Sequence, residues 1–235
     1  MTPSGNLPKT TIVKRIICLA NSRKFQERCI AGRELSDGAV QGWIRPVSDR
    51  YHEAVSEYER QYDDGSEPQL LDIIDVPLLS AKPNPRQQEN WLVDPQLYWV
   101  KVGTLRPQQL RLCIEQHGSL WNNGWHSSNG INDYVTVQQA EDADRSLRLI
   151  LVGDGLQLHV HSTGAAFGKP KRQVRAHFSL NNVPYRLVVT DPVVESVYLA
   201  QADGVYMVGS SYLTISLGEP LNGKCFKLVA AIIGA

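Results

Sequence analysis

Residues 16–48 read IICLANSRKFQERCIAGRELSDGAVQGWIRPVS, and this stretch decides the predicted fold. Its apolar runs at residues 16–20 and 40–47 are typical of β-strands. Residues 21–28 follow the first run and are rich in polar and cationic side chains, which indicates a loop. Asp37 and the Gly after it are typical of a tight turn between strands. The stretch therefore predicts a β-scaffold that presents a basic loop to a polyanionic ligand.

The basic loop supplies the first set of candidate binding residues. It combines amide, hydroxyl and cationic donors, the mixture that phosphate oxygens accept. These residues are Asn21, Ser22, Arg23, Lys24 and Arg28. In the next strand, alternation places Trp43, Arg45 and Val47 on one face. An Arg between two apolar residues is either a rim residue beside a ligand or a side chain that extends along apolar surface to water. Trp43 and Arg45 therefore join the candidate set.

Charges are strongly segregated along a chain whose 24 Lys and Arg balance 24 Asp and Glu. Residues 9–33 carry seven cations against one acid, and residues 155–190 carry five cations and no acid. The acidic segment, residues 53–75 from Glu53 to Asp75, carries eight acids against one Arg. Because local fields steer binding, the basic segments favour nucleic acid and the acidic segment favours a basic protein partner. The alternative is that the segments neutralise each other across the folded surface.

The later basic segment supplies a second set of candidate binding residues. It repeats the cationic character of the first loop with Lys169, Lys171, Arg172 and Arg175. Binding of unpaired bases also needs aromatic partners for stacking. The candidates are Trp43, Trp99, Tyr185 and Trp121.

The Asn-, Ser- and Gly-rich residues 118–133 divide the chain into two halves. Trp121 and Trp125 within them are candidates either for base stacking or for packing in a seam between the halves. Beyond them the pattern predicts about seven short strands, with a hairpin at the Asp-Gly turn of residues 153–155, which is typical of a small barrel or sandwich. The predicted divisions are a loose tail (1–8), a first barrel with a C-terminal helix over 107–116 (9–117), a linker (118–133) and a second barrel (134–235).

No motif in the sequence indicates a reaction. The nearest match to a phosphate-binding loop begins at Gly164, but it is one residue short and lacks the hydroxyl that would bind magnesium. His159 and His161 share a strand face, and solvated or cross-strand histidines account for them better than a metal site. Asp191 and Glu195 fit a turn residue followed by an exposed acid better than a catalytic pair. We therefore predict no catalytic residue, no metal and no cofactor.

The sequence indicates neither a membrane protein nor an exported one. Its first residues lack the pattern of a signal peptide, and no apolar run approaches the roughly 18 residues of a membrane span. The four cysteines are widely spaced and form no CxxC motif, which favours reduced thiols over disulfides or structural zinc. We therefore expect a cytoplasmic protein with no membrane partner.

The chain resembles a prokaryotic family described as carrying a dual OB-fold domain. The matching stretches are ICLANSRKFQERCIAG, GWIRPVS, LLDIIDVPLL with the later Gln88-Glu89-Asn90, YRLVVTDP and YLTISLGEPLNGKCFKLVAAII. The resemblance implies an all-β fold with minor α content, built from two tandem OB-like small β-barrels. OB folds commonly bind single-stranded nucleic acid on one barrel face. The resemblance implies no catalytic residue, and it links some members to systems that act on foreign nucleic acid.

These observations predict a non-enzymatic protein that binds single-stranded DNA or RNA, as an accessory in defence or nucleic-acid processing. Phosphate capture by the two basic loops, with stacking nearby, would make binding weaken steeply with salt. Two alternatives stay open. One is a sensor that binds a small nucleotide or modified base in a pocket, and the other is a protein–protein adaptor that docks through the acidic segment.

Overall fold

The computed structural model describes residues 10–115, 118–163 and 171–235, which form two β-sheets and a few short helices. The strands are β1 (Ile12–Lys24), β2 (Glu27–Ser36), β3 (Ala39–Val47), β4 (Asp72–Ala81), β5 (Asn90–Val93), β6 (Val100–Thr104), β7 (Tyr134–Thr136), β8 (Leu147–Val152), β9 (Gln157–Thr163), β10 (Lys171–Leu180), β11 (Val183–Val189), β12 (Gly204–Met207), β13 (Ser211–Leu217) and β14 (Lys224–Gly234). The helices are α1 (Glu57–Arg60), a 3₁₀ helix (Pro107–Leu112), α2 (Val137–Glu141) and α3 (Pro192–Leu199). The all-β prediction with minor α content is confirmed.

The first sheet closes into a ring. Its strands follow the order β1-β2-β3-β5-β4, and β4 pairs back onto β1. The long strand β1 makes this possible, because residues 12–17 pair with β4 while residues 16–24 pair with β2. Alternation turns Ile16, Cys18 and Ile30 into the ring, where they form a buried cluster with Ile74 and Trp99. The ring therefore has its own hydrophobic core.

The second sheet repeats this arrangement. The antiparallel run β9-β10-β11, the helix α3 and the parallel pairing of β11 with β14 match β1-β2-β3, α1 and the parallel pairing of β3 with β5. The sheet follows the path β12-β9-β10-β11-β14-β13-β8, and β7 pairs with β14. The role of β1 is shared here, because β8 pairs with β13 while β9 pairs with β10. Strands β10 and β11 therefore correspond to β2 and β3.

Two turn predictions have opposite outcomes. Asp37 and Gly38 form the predicted turn between β2 and β3, with left-handed φ angles of 53° and 74°. The hairpin predicted at residues 153–155 is wrong, because β8 and β9 pair with other strands and not with each other. Val152 and Leu158 point into the same core across this turn, so the two strands behave as one bent strand. An Asp-Gly turn alone does not distinguish a bend from a hairpin.

The predicted basic loop over residues 21–28 is also wrong as a loop. Strand β1 continues to Lys24, β2 begins at Glu27, and only Phe25 and Gln26 connect them. Cross-strand pairing of Asn21 with Ile30 and of Lys24 with Glu27 satisfies the backbone of these polar residues in extended form. The polar composition of this segment indicates that it faces solvent. The end of a β-hairpin faces solvent just as a loop does, so composition does not distinguish the two.

The helical content differs from the prediction in both halves of the chain. The helix predicted over residues 107–116 is a short 3₁₀ helix that ends at Leu112. Helix α3 was not predicted, although its start carries the expected residues: Asp191 accepts hydrogen bonds from the backbone N–H groups of Val193 and Val194, and Pro192 occupies the first turn. The Asp-Pro pair that predicts a turn is here a helix N-cap.

The outer face of the first ring is covered by the second sheet. Ile17, Leu19 and Trp43 point away from the ring interior and pack in one buried cluster with Leu149 and Tyr212 of the second sheet. In addition, the Thr214 hydroxyl of β13 donates a 2.5 Å hydrogen bond to the Leu19 carbonyl. The two sheets therefore share a hydrophobic interface that hides the outer side of β1, β2 and β3.

None of the helices in the described part of the chain has the length and apolar character needed to cross a bilayer.

Candidate functional site

The first predicted basic cluster joins the two sheets. The Arg23 guanidinium donates to both carboxylate oxygens of Glu195 on α3, at 3.0 and 2.9 Å, and the Arg23 backbone N–H donates to the Thr190 carbonyl at 2.8 Å. Lys24 Nζ lies 2.6 Å from Glu219 Oε1, in the turn between β13 and β14. Glu195 is thus a buried partner of Arg23 rather than the exposed acid that the sequence suggested. Both cations are neutralised by carboxylates of the other sheet.

The other members of this cluster face the protein as well. Asn21 Nδ2 donates to the Pro68 carbonyl at 2.7 Å, and the buried Ser22 hydroxyl donates to the Cys29 carbonyl at 3.4 Å. Arg28 has a buried Nε without a hydrogen-bond partner in the described part of the chain. Asn21 and Ser22 are thus bonded within the chain, whereas Arg28 is half-buried.

We expect Arg23→Ala to lower the free energy of unfolding by about 1–2 kcal/mol, because it breaks a two-bond ion pair and leaves Glu195 with 11% of its side chain exposed and without a cation. Chemical denaturation measures this change. Arg15→Ala is the matched control, since Arg15 makes the same two-bond contact with Asp75 on a more exposed surface within one sheet. Equal losses for the two variants would contradict the role of Arg23 at the interface.

Trp43 and Arg45 are buried at the same interface. The Trp43 indole N–H donates to Glu115 Oε2 at 3.1 Å. Arg45 is 3% exposed, donates to the Ser146 hydroxyl at 2.8 Å and lies 3.2 Å from Glu89 Oε1. Ser146 belongs to the second half of the chain, so Arg45 is a buried cross-sheet contact. Arg45 also lines a cavity of about 200 Å³ together with Ser22, Arg23 and Lys24 of the first predicted cluster.

The second predicted cluster is not brought to the first. Lys169 lies outside the described residues, and Lys171 is exposed at the start of β10. Arg172 binds the C-terminal end of α3, donating to the Leu199 carbonyl at 2.6 Å and pairing with Asp203 at 2.8 Å. Arg175 is buried and lies 3.7 Å from Asp133 Oδ2, and burial lowers its pKa.

Most of the aromatic candidates are covered by protein. Tyr185 and Trp99 are 2% and 1% exposed, and Trp43 is 5% exposed, whereas Trp125 is 41% exposed. The Tyr185 hydroxyl accepts a hydrogen bond from the Leu120 N–H at 3.1 Å, and its ring stacks on Phe178 in the core of the second sheet. Trp121 is partly buried against that core and donates to the Arg145 carbonyl at 2.9 Å. Trp121 therefore packs against the second sheet.

Most of the acidic segment is paired within the chain. Its ion-paired carboxylates include Glu53, Glu59, Glu67, Asp72 and Asp75. Only Asp75 pairs with a cation of a predicted basic segment, Arg15, and the other four pair with Lys82, Arg50, Arg60 and Lys101. The acidic segment is therefore neutralised mainly by cations outside the two basic segments.

An open cationic face lies elsewhere, on the outer side of β9, β10 and β11. Alternation turns Leu158 and Val160 into the core and His159 and His161 outwards, as the sequence predicts. Across the strands, the rings of His159 and His177 stack with centroids 3.4 Å apart and an 18° angle between planes. Arg186 pairs with His177 in register and completes the row on β11. His159 is therefore a cross-strand histidine, in agreement with the sequence-based interpretation.

This face carries positive charge without a compensating acid. It lines a cavity of about 370 Å³, whose walls in the described part of the chain include no Asp or Glu and are formed by Asn129, His159, Val160, His161, His177, Arg186, Gly204 and Val205. Arg186 Nε and His177 Nε2 are buried without a hydrogen-bond partner there. Unpaired donors beside a cation suit an anionic ligand.

The histidine pKa values reflect the same environment. Burial, followed by the nearby His159 and Arg186, lowers the pKa of His177 to about 3. Burial also lowers the pKa of His159, followed by the charge of Arg186. The positive charge of this face at pH 7 therefore lies on Arg186 rather than on these two rings. No three His, Cys, Asp or Glu side chains of the described residues are grouped so as to hold a metal ion.

The sequence-based prediction missed His177 and Arg186. The signal that would have found them is the alternation in β10 and β11, where each lies between two residues of the buried core: Ala176 and Phe178, and Tyr185 and Leu187. The same alternation that buries these neighbours turns His177 and Arg186 outwards. A count of charges along a segment does not separate side chains that point outwards from side chains that point into the core.

A family comparison agrees with this architecture. The model of the dual OB-containing domain matches residues 14–232, so the chain belongs to this family. No curated protein and no solved structure matches the chain significantly. The resemblance inferred from the sequence is confirmed over nearly the whole chain.

Proposed function

We propose that this member of the dual OB-containing domain family binds single-stranded nucleic acid on the outer face of β9, β10 and β11. OB folds bind oligonucleotides mainly on the face of their second and third strands. In the first ring the corresponding face is packed against the second sheet, whereas β10 and β11 expose theirs. The observation that carries the proposal is this open, acid-free face with Arg186 and His177 on it.

The chemistry of the face fits a phosphate backbone with bases beside it. Arg186 supplies a guanidinium that forms no ion pair with any described residue, and phosphate oxygens accept its N–H donors. Val205 and Met207 on the neighbouring strand β12 are 56% and 64% exposed and offer apolar contact for bases. Phosphate contacts would provide most of the affinity, so binding should fall with rising salt.

Fluorescence anisotropy with labelled single-stranded DNA, single-stranded RNA and duplex, each at two salt concentrations, tests this function. We expect Arg186→Ala to weaken single-strand binding about tenfold and to reduce the salt dependence by about one counterion. The control is Arg111→Ala, which removes an exposed Arg from the 3₁₀ helix.

A triple variant of Arg23, Lys24 and Arg28 to Ala tests the first basic cluster in the same assay. We expect it to bind nearly as well as the wild type, because none of these three side chains lines the cavity on the β9–β11 face. Loss of binding in the triple variant with none in Arg186→Ala would move the site to the β1–β2 hairpin. Flat traces for every probe would reject nucleic-acid binding.

The same face predicts tighter binding at lower pH. The groups that face His177 are His159 and His161 on β9, Arg175 on its own strand and Arg186 on β11. All carry positive or neutral charge, so a bound phosphate raises the pKa of His177 and binding takes up a proton. We expect affinity for single strands to rise as pH falls from 8 toward the pKa of His177 in the free protein, which is about 3. In His177→Asn this pH dependence should shrink, and an unchanged profile would exclude His177 from the site.

A further inference from the structure

Three exposed aromatic rings pack against one another beside the β1–β2 hairpin at tilted interplanar angles of 32° and 48°, and this cluster is called the stack below. Phe25, at the tip of the hairpin, lies 4.0 Å from His52 between ring centroids, and His52 lies 3.9 Å from Tyr51. Phe25 and Tyr51 are 59% and 88% exposed. Large rings stacked on each other in water rather than in a core are unusual, because burying them would be favourable. The stack therefore suggests a surface kept open for a ligand.

Strained backbone holds this stack in place. Phe25, His52 and Glu53 have φ angles of 56°, 73° and 55°, a left-handed conformation that residues with a side chain rarely adopt. Arg50 ties the two segments together, since its guanidinium donates to both oxygens of Glu27 at 2.6 and 2.9 Å. A strained backbone conformation persists only where the surrounding contacts hold it in place, and such conformations are common at functional sites.

A groove with polar and charged walls adjoins the stack. Its cavity of about 460 Å³ is lined by Tyr51, His52, Glu53, Asn84, Arg86, Gln87, Glu219 and Pro220. Gln87 is 6% exposed, and its Oε1 accepts a hydrogen bond from Asn90 Nδ2 at 3.1 Å. The Gln87 side-chain NH₂ group donates to none of the described residues. Gln87 also lines an adjoining cavity of about 200 Å³ that contains Phe25 and Lys24. The two cavities therefore share the buried Gln87 side chain, whose amide N–H groups donate to no other described residue.

Cations flank the groove in ion pairs that a ligand can displace. Arg86 lies 3.0 Å from Glu141, and about a third of each side chain is exposed. Lys24 lies 2.6 Å from Glu219, whose side chain is 43% exposed. Exposed pairs of this type contribute little stability, so an incoming phosphate can replace the carboxylate.

We infer that this groove is a second ligand site, which binds one unpaired nucleobase and its phosphate. The base would stack on the Phe25, His52 and Tyr51 rings, the Gln87 amide would donate to its edge, and Arg86 or Lys24 would bind the phosphate. Stacking on aromatic rings tolerates any base, because every base has a π-face. A free nucleotide and the terminal nucleotide of a strand both present an unpaired base with its phosphate. The site is separate from the β9–β11 face and does not depend on it.

Calorimetric titration with the four nucleoside 5′-monophosphates, and with a 5′-phosphorylated dinucleotide, tests the inference. We expect Phe25→Gly to weaken binding about tenfold. Because Gly adopts a left-handed φ without strain, the melting temperature of this variant should stay equal or rise. A merely structural role for Phe25 would instead leave affinity unchanged. Tyr51→Ala should weaken binding as well.

Two further variants show whether the heat of binding comes from this groove. Tyr58→Ala is the matched control, since Tyr58 is 69% exposed on α1 and does not line the groove. Arg186→Ala removes phosphate binding by the β9–β11 face, so heat that remains in this variant and is lost in Phe25→Gly belongs to the groove. Binding of the dinucleotide alone, lost in Phe25→Gly, would support the site with a strand end as its source. Absence of heat with all probes, or equal loss in Tyr58→Ala, would overturn the inference.

Discussion

Gly32→Ala should destabilise the chain by about 3 kcal/mol or more, and we expect little folded protein at 37 °C. A Cβ atom at Gly32 would lie 2.2 Å from the Ile17 carbonyl oxygen and 2.9 Å from its carbon. The clashing atoms belong to the backbone of Ile17, so no change of side-chain rotamer relieves the clash. Strand β1 is also held from its other side, because Ile17 pairs with both Arg33 of β2 and Ile73 of β4. Moving β1 away from Gly32 would therefore open the ring.

Gly42→Ala provides the control for this effect. Gly42 lies in β3, next to β2, and a Cβ atom there meets nothing within 4 Å. Because Ala loses less backbone freedom than Gly on folding, this variant should be neutral or more stable by up to about 1 kcal/mol. Thermal and urea unfolding of both variants measure the difference. Gly32→Ala with wild-type stability would show that β1 can shift, and that ring closure does not constrain it.

The local features of this fold could be predicted from the sequence. Alternation of apolar residues places Ile16 and Cys18 on one face, and Asp37-Gly38 specifies its turn, because both depend on neighbours along the chain. Strand partners depend on distant segments. The pairing of β1 with β4 joins residues about 60 positions apart, and the parallel pairing of β11 with β14 joins others about 40 apart. No local sequence pattern indicates either of these strand pairings.

The candidate binding residues show the same limit. Arg23 and Lys24 are cations at the end of a strand in the sequence, and their neutralising partners Glu195 and Glu219 lie on the other sheet. The chain around Arg186 looks like an ordinary strand, because what distinguishes this residue is the absence of an acid beside it among the described walls of its cavity. Charge counted along the chain measures composition, whereas binding depends on the charge left unpaired after folding. Sheet packing decides which cations those are.

Lys227 should contribute increasing stability between pH 7 and pH 10, a contribution that the buried thiols of Cys18, Cys113 and Cys225 oppose in the upper part of the interval. Lys227 is 1% exposed, and burial lowers its pKa from 10.5 to about 7, while Asp133 opposes the shift. In the unfolded chain this group keeps its proton up to about pH 10.4. The unfolded state therefore binds one more proton at Lys227 over this interval, and the contribution of this group to the free energy of unfolding rises with pH. The group contributes about 1.4 kcal/mol per pH unit, or about 4 kcal/mol over the interval.

Lys227→Met removes this contribution and isolates it from other groups. Cys18, whose pKa burial raises to about 12, acts in the opposite direction, because the unfolded chain releases its thiol proton first. This effect is common to both proteins, so the difference between wild type and Lys227→Met reports Lys227 alone. Urea denaturation at one-unit pH steps measures it.

We expect Lys227→Met to gain stability relative to the wild type near pH 7, where the buried ammonium is costly, and to lose this advantage as pH rises. The loss has a structural cause, since Lys227 Nζ donates to the Asn122 carbonyl at 2.7 Å and to Asn123 Oδ1 at 3.1 Å, and Met leaves both acceptors without a donor. Lys101→Met, which removes an exposed lysine from β6 and keeps Lys227, should retain the wild-type slope. Parallel curves for wild type and Lys227→Met would mean that Lys227 holds its proton in the folded core, with Asp133 and the two asparagine oxygens outweighing the cost of burial.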